Sequence, residues 1–321
     1  PYRAHLSKSI GRSARSLLES SDLAAEVATL EPLEAYFIVK EVGVDEAAEI
    51  LLACSPEQFQ SFIDLDCWHD NEPAHLEIDA WLAPVAHQRP DILESVFLKL
   101  DEEVQVLFLK ASLHIFTPDE ADVLPDPPKG VVRKTTPDGY YVVESQHDLD
   151  REIDPLVFVD AIYHSGVERG FELLTAARWE VQSPLEEQAL QFRSARVEAL
   201  GFPSRDKSLS LFLKPNKTAT TQNLITKDIT THQSLPSIYA GPLSQHCLLT
   251  AGLEHLESKS LSRIETQLQY LINHVVIAYE GSPKNVHGVS RCANLCRDIL
   301  SLGLESLVNQ GDPALELTRH I

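Results

Sequence analysis

Residues 31–66 carry one pattern written three times at a spacing of 12 residues: EPLEAYFIVKEV, GVDEAAEILLAC and SPEQFQSFIDLD. Superposed, the segments align Ala35, Ala47 and Phe59, then Ile38, Ile50 and Phe62, then Val39, Leu51 and Ile63. Apolar residues three and four apart fall on one face of a helix. Each segment opens with a start signal. Pro32 and Pro56 suit a first helical turn, where a missing N–H costs nothing. Ser55 with Gln58 reads as a capping box, and Asp45 and Glu46 favour the positive end of a helix dipole. A helix this short cannot bury its apolar face alone. An array of stacked short helices satisfies all three copies at once. Three unrelated amphipathic helices in a bundle would give the same periodicity.

The rest of the chain reads as mainly α: an N-terminal helical-repeat, superhelical array, one inserted β-hairpin and a C-terminal helical bundle. Residues 1–30 form a basic arm and a helix, and the repeat domain spans 31–118, with further helices from His75, from Arg89 and over 102–116. At Asp119 the composition changes. Leu124-Pro125-Asp126-Pro127-Pro128 cannot be helical. Val131, Val132 and Tyr140–Val143 flank Thr136-Pro137-Asp138-Gly139, a turn with proline second and glycine fourth. The Pro-rich loop and hairpin therefore occupy 119–145, and a lone hairpin is marginal in water, so Tyr140 or Tyr141 should lie against the helices. Residues 146–213 form a helical region with a break near Gly166 or Gly170. Its last long helix starts at Ser183-Pro184 and stops at Gly201. Residues 214–235 read as a linker or long loop, and 236–321 as a second helical region.

Charge narrows the choice of partners. Asp plus Glu number 48 against 27 Lys plus Arg, a formal net charge of −21. An acidic chain repels phosphate backbones, so nucleic acid is not an expected partner. No run approaches the roughly 18 apolar residues that cross a bilayer, so membrane insertion is not expected. No secretory signal pattern opens the sequence. The five cysteines are odd in number and lack a Cys-x-x-Cys pair, which suits a reducing, cytoplasmic setting. The sequence has no methionine and starts at Pro1; it reads either as a fragment or as a chain from which methionines and whole segments are missing, and in the second case hidden seams could distort its spacings.

Three groups of residues could carry chemistry. Asp64, Asp66, Cys67, His69 and Asp70, with His75 nearby, offer hard and soft metal ligands, but the spacing matches no zinc pattern, and a polar loop at a repeat end with Cys67 and Trp68 packed inward is the favoured reading. Cys292 and Cys296 lie four apart on one helical face with His287 before them. They could share a metal or simply fill a core. Arg178, Arg193 and Arg196, with Glu180, Glu186 and Glu187, form either an ion-pair network that fixes helix packing or an anion pocket built on guanidinium forks. His246-Cys247 is an adjacent pair with no orienting acid in sequence. Nucleotide-binding, zinc-protease and nucleophile-elbow motifs are absent, so no catalytic residue and no cofactor is assigned.

Two resemblances add to this. The stretch LEPLEAYFIVKEVGVDEAAEILLACSPEQFQSFIDLD resembles the superhelical N-terminal domain of bacterial magnesium transporters, whose membrane part and nucleotide-binding modules have no counterpart here. SPEQFQSFIDLDCW, TPDGYYVVE, ARWEVQSPLEEQALQFRSARVEALGFP and ILSLGLESL are together similar to an uncharacterised bacterial family, a domain of unknown function covering most of the chain. That resemblance implies an all-helical fold and no known activity. The expected role is an acidic, cytoplasmic protein-interaction scaffold or regulatory protein with another protein as partner, its oligomeric state open. The alternatives are a metal-dependent enzyme using the Asp66–His75 loop and an acidic divalent-cation sensor.

Overall fold

All nine apolar positions aligned across the repeat are buried, none more than 1% exposed. A computed structural model describes residues 10–69, 71–146, 151–213 and 235–308. The three copies form the helices Pro32–Val42, Ala48–Ala53 and Pro56–Asp66. Ser55 accepts the Gln58 backbone N–H at 3.1 Å while Gln58 accepts that of Ser55 at 2.9 Å. The same Gln58 amide donates to the Val27 carbonyl at 2.8 Å, which explains a glutamine buried among apolar neighbours. Ala48–Ala53 and Pro56–Asp66 both pack on the helix His75–Gln88.

The fold is mainly α with two small sheets among the described residues. The chain divides into two compact units that interleave in sequence. One takes Pro1–Ser21, Thr29–Glu41 and Val197–Ile321; the other takes Asp22–Ala28 and Val42–Arg196. The first repeat helix thus belongs to one unit, apart from its last residue, and the other two copies to the second. The expected linker at 214–235 lies, but for its last residue, outside the described residues, as does most of the N-terminal arm.

In the first unit the helices Ser258–Glu280 and Val286–Leu307 pack together. Gly281 ends the former with φ 77°, a left-handed conformation that favours glycine. Glu34 on the first repeat helix accepts both the backbone N–H and the hydroxyl of Ser237, at 2.7 and 2.6 Å. Tyr239, fully buried against Phe37, donates to Asn273 at 2.6 Å. Gly201 ends the preceding long helix as expected: with φ 88° its N–H meets the Glu198 carbonyl, and Phe202 N–H reaches back to Val197. This pair of hydrogen bonds is the Schellman arrangement.

The second unit is built on Phe97, Phe108 and Phe158, whose ring centroids lie 4.9–5.6 Å apart. The helix expected over 102–116 stops at Ser112. Leu113–Phe116 becomes a strand instead and pairs antiparallel with Val142–Ser145, which pairs in turn with Arg133–Thr135. The hairpin thus gains a third strand, and its first arm starts at Arg133 rather than at Val131. Leu113, His114, Ile115 and Phe116 alternate inside and outside, the period of a strand. The Thr136 turn closes with Gly139 N–H on the Thr136 carbonyl and Gly139 at φ 74°. Helices Pro155–Ser165 and Val167–Trp179 break at Gly166. Gly170 is required for a different reason: a Cβ there would sit 2.7 Å from the Tyr163 ring.

Candidate functional site

The helix Gln182–Ala199 carries Arg193 and Arg196 on one face, within the second unit. Arg196 grips the fully buried Asp64 with its fork, Nε to Oδ2 at 2.5 Å and Nη2 to Oδ1 at 3.0 Å, and gives Nη1 to Asp101. Gln60 locks both acids in place: its amide donates to Asp64 at 2.9 Å and its carbonyl accepts Asp101 N–H at 2.8 Å. Arg193 donates to the Asp64 backbone carbonyl at 2.9 Å and stacks over Trp68, 4.9 Å from the ring centroid. Burial pushes the Asp64 carboxyl up even though Arg196 and Gln60 hydrogen-bond it. The arginines reach acids at the end of the third repeat and before the Glu102–Ser112 helix, not Glu180. The geometry is that of a closed charge network.

Arg178 sits apart from these two. It holds Glu120 with one nitrogen 2.6 Å from both carboxylate oxygens, donates to the Ile115 carbonyl and stacks on Trp179 at 4.6 Å. Glu120 also closes a capping box with Thr117 at the start of the short helix Pro118–Asp122. The Thr117 N–H and Arg178 together hold its carboxyl below the usual range. Lys110 donates to the carbonyls of Ala177 and Glu180, at 2.9 and 3.0 Å, at the C-terminal end of the Val167–Trp179 helix. A cation is favoured at that end by the helix dipole.

The proposed metal ligands are spread over separate contacts. Asp66 accepts the Trp81 indole N–H at 2.8 Å. Cys67 is buried at the helix end. His69 lies in a two-residue strand paired with Glu72–Pro73, and its Nε2 is 2.8 Å from Glu77. Asp70 lies outside the described residues. No group of three or more His, Cys, Asp or Glu is arranged to hold a metal among the described residues. In the C-terminal helix Cys292 and Cys296 are buried, their thiols pushed up by burial to about 11 and about 12. Cys247 is half-buried, its sulfur 2.9 Å from the Thr250 hydroxyl. Burial raises its pKa, but hydrogen bonds from neighbouring hydroxyls and backbone N–H groups outweigh that and lower it.

One polar cluster has only a faint signature in the sequence. His75 and Asp79 stand four apart on one face of the His75–Gln88 helix, and Arg151 joins them from 72 residues downstream of Asp79. Asp79 accepts the backbone N–H groups of Glu152 and Ile153, at 2.7 and 3.3 Å. Arg151 approaches it to only 3.8 Å, and both side chains are nearly inaccessible. Asp79 Oδ1, Arg151 Nε and Nη1 and His75 Nε2 are buried without a hydrogen-bond partner among the described residues. Burial lifts the Asp79 carboxyl, and burial with Arg151 lowers His75. The i, i+4 spacing could have flagged the first two; nothing local marks Arg151.

A hydrophobic surface accompanies these clusters. Tyr140, on the hairpin turn, is 64% exposed, and its ring centroid lies 5.1 Å from that of Phe171. Phe171 also stacks on Tyr141 at 6.0 Å. Tyr141 is buried and its hydroxyl lies 2.9 Å from that of Thr175. Val167, one turn before Phe171, is 54% exposed. The chain belongs to a family of unknown function, DUF6178, whose model matches residues 3–319. No curated protein and no solved structure matches it.

Proposed function

Starting from membership of a family to which no activity is attached, we propose that this protein is an interaction protein that binds another protein through the Tyr140–Val167–Phe171 surface. The carrying observation is that these three large apolar side chains stand exposed together on a braced support. Asp138 fixes the turn by accepting the Tyr140 N–H at 3.0 Å and the Tyr163 hydroxyl at 2.7 Å. A rigid aromatic surface loses little freedom on binding, and exposed tyrosine is a common anchor of interfaces. Trp179, 62% exposed and backed by Arg178, extends the apolar surface of the same helix.

Other features support the same reading. The second and third copies of the repeat pack on one shared helix, His75–Gln88, and helical arrays of transporter-like repeats present extended binding surfaces. Five free cysteines suit a reducing cytoplasm, and the charge of −21 disfavours nucleic acid. The family resemblance supports a bacterial source. Capture of partners from the native cell by tagged wild type and by a Tyr140→Ser/Val167→Ser variant tests the proposal. Proteins retained by wild type and lost by a variant with an unchanged melt are expected; equal capture by both overturns it.

A further inference from the structure

Beside the strand Leu113–Phe116 lies a cleft of about 250 Å³ lined by Lys110, His114, Phe116 and Arg178, among others, and no acid lines it among the described residues. In a chain of net charge −21, a concave site with two permanent cations and a histidine is the reverse of the average surface. Three details define what would fit. Arg178 Nε is buried and has no hydrogen-bond partner among the described residues. Lys110 donates to two carbonyls from its three-donor ammonium. The other end of the Arg178 guanidinium already grips a carboxylate, that of Glu120, through two equal contacts of 2.6 Å. The volume is below the roughly 300 Å³ of a drug-sized pocket, which favours a small ion over a large cofactor.

We infer that this cleft is a binding site for a small oxyanion of the phosphate or sulfate type, held by Lys110 and Arg178, with Glu120 as a built-in competitor for the guanidinium. Inorganic phosphate carries several acceptor oxygens, so it can take the spare Lys110 proton and an Arg178 N–H together. Glu120 shares Arg178 with it and weakens it by charge. The site uses none of Tyr140, Val167 and Phe171.

Isothermal titration of the full chain with inorganic phosphate, at ionic strength held constant with chloride, tests the inference. Wild type should bind one phosphate saturably. Glu120→Gln should bind it about fivefold more tightly, the scale of one solvent-exposed ion pair removed from competition. Glutamine still serves the capping box, so that variant keeps its helix start. Lys110→Gln should bind about tenfold more weakly. His114→Gln, a substitution at an exposed lining position, should fold normally and weaken binding measurably. Heats no larger than those of chloride dilution in wild type overturn the site, as does a Glu120→Gln affinity equal to or below that of wild type.

Discussion

Replacing Arg196 with methionine should be among the most damaging single changes in the second unit. The apolar stem remains, but Asp64 is left fully buried without its ion-pair partner, and only the charge of Arg193, which bonds its backbone carbonyl, stays near it. Gln60 supplies only one neutral hydrogen bond to it. Breaking a buried pair from one side costs about 3–5 kcal/mol. At about 3 °C per kcal/mol for a unit of this size, the midpoint should fall by roughly 9–15 °C. The pH dependence carries a further signature. Burial already raises the Asp64 pKa, so ionising it opposes folding as pH rises through the folded value, and stability from the neutral acid is present below the unfolded value. Without Arg196 that pKa rises further. The variant's deficit should therefore be largest near pH 7 and shrink towards about pH 4 as Asp64 takes a proton. Asp64→Asn in the Arg196→Met background should recover most of the loss, since a neutral amide can stay buried with Gln60. Circular-dichroism melts of the two single variants and the double, at both pH values, form the cycle. A midpoint within about 2 °C of wild type for Arg196→Met, or a deficit that neither acid nor Asp64→Asn relieves, would refute the network.

Ile50→Asp puts an unpaired charge at a fully buried repeat position and should cost about 3–5 kcal/mol in a chemical melt; an unchanged midpoint removes the repeat face as a core element. His274 is buried, both ring nitrogens lack hydrogen-bond partners among the described residues, and burial with Lys207 lowers its pKa to about 4. Its neutral form therefore stabilises the fold above the ordinary histidine value, and that stability is lost as pH falls between about 6.5 and 4. The loss should be of the order of 3 kcal/mol and should vanish from the pH–stability profile of His274→Leu. Thiol labelling near pH 8 with peptide mapping should find Cys247 first. Cys54 and Cys296, pushed up by burial to about 12, should react only on unfolding; fast labelling of Cys296 in the folded protein would contradict its burial.

Much of the local structure could be read from residues close together in the chain. The Ser55–Gln58 box, the Gly201 stop and the Pro-Asp-Gly turn each depend on a few neighbouring residues, because a cap or a turn is satisfied within a handful of backbone groups. Helical periodicity likewise marked the repeat positions that are buried, since period 3.6 puts them on one face whatever covers it. What covers that face was not legible. The sorting of the repeat copies into different units, and the packing of two of them on the His75–Gln88 helix, depend on contacts far along the chain. Leu113–Phe116 could extend a helix or form a strand, and Val142–Ser145 decided it by supplying a ladder. The arginines were visible as fork donors, but Asp64 lies 132 residues from Arg196 and Arg151 lies 72 beyond Asp79. A guanidinium pairs with whichever acid the packing brings within about 3 Å, so the sequence by itself determined the donors and the helix faces, and only the tertiary structure chose their partners.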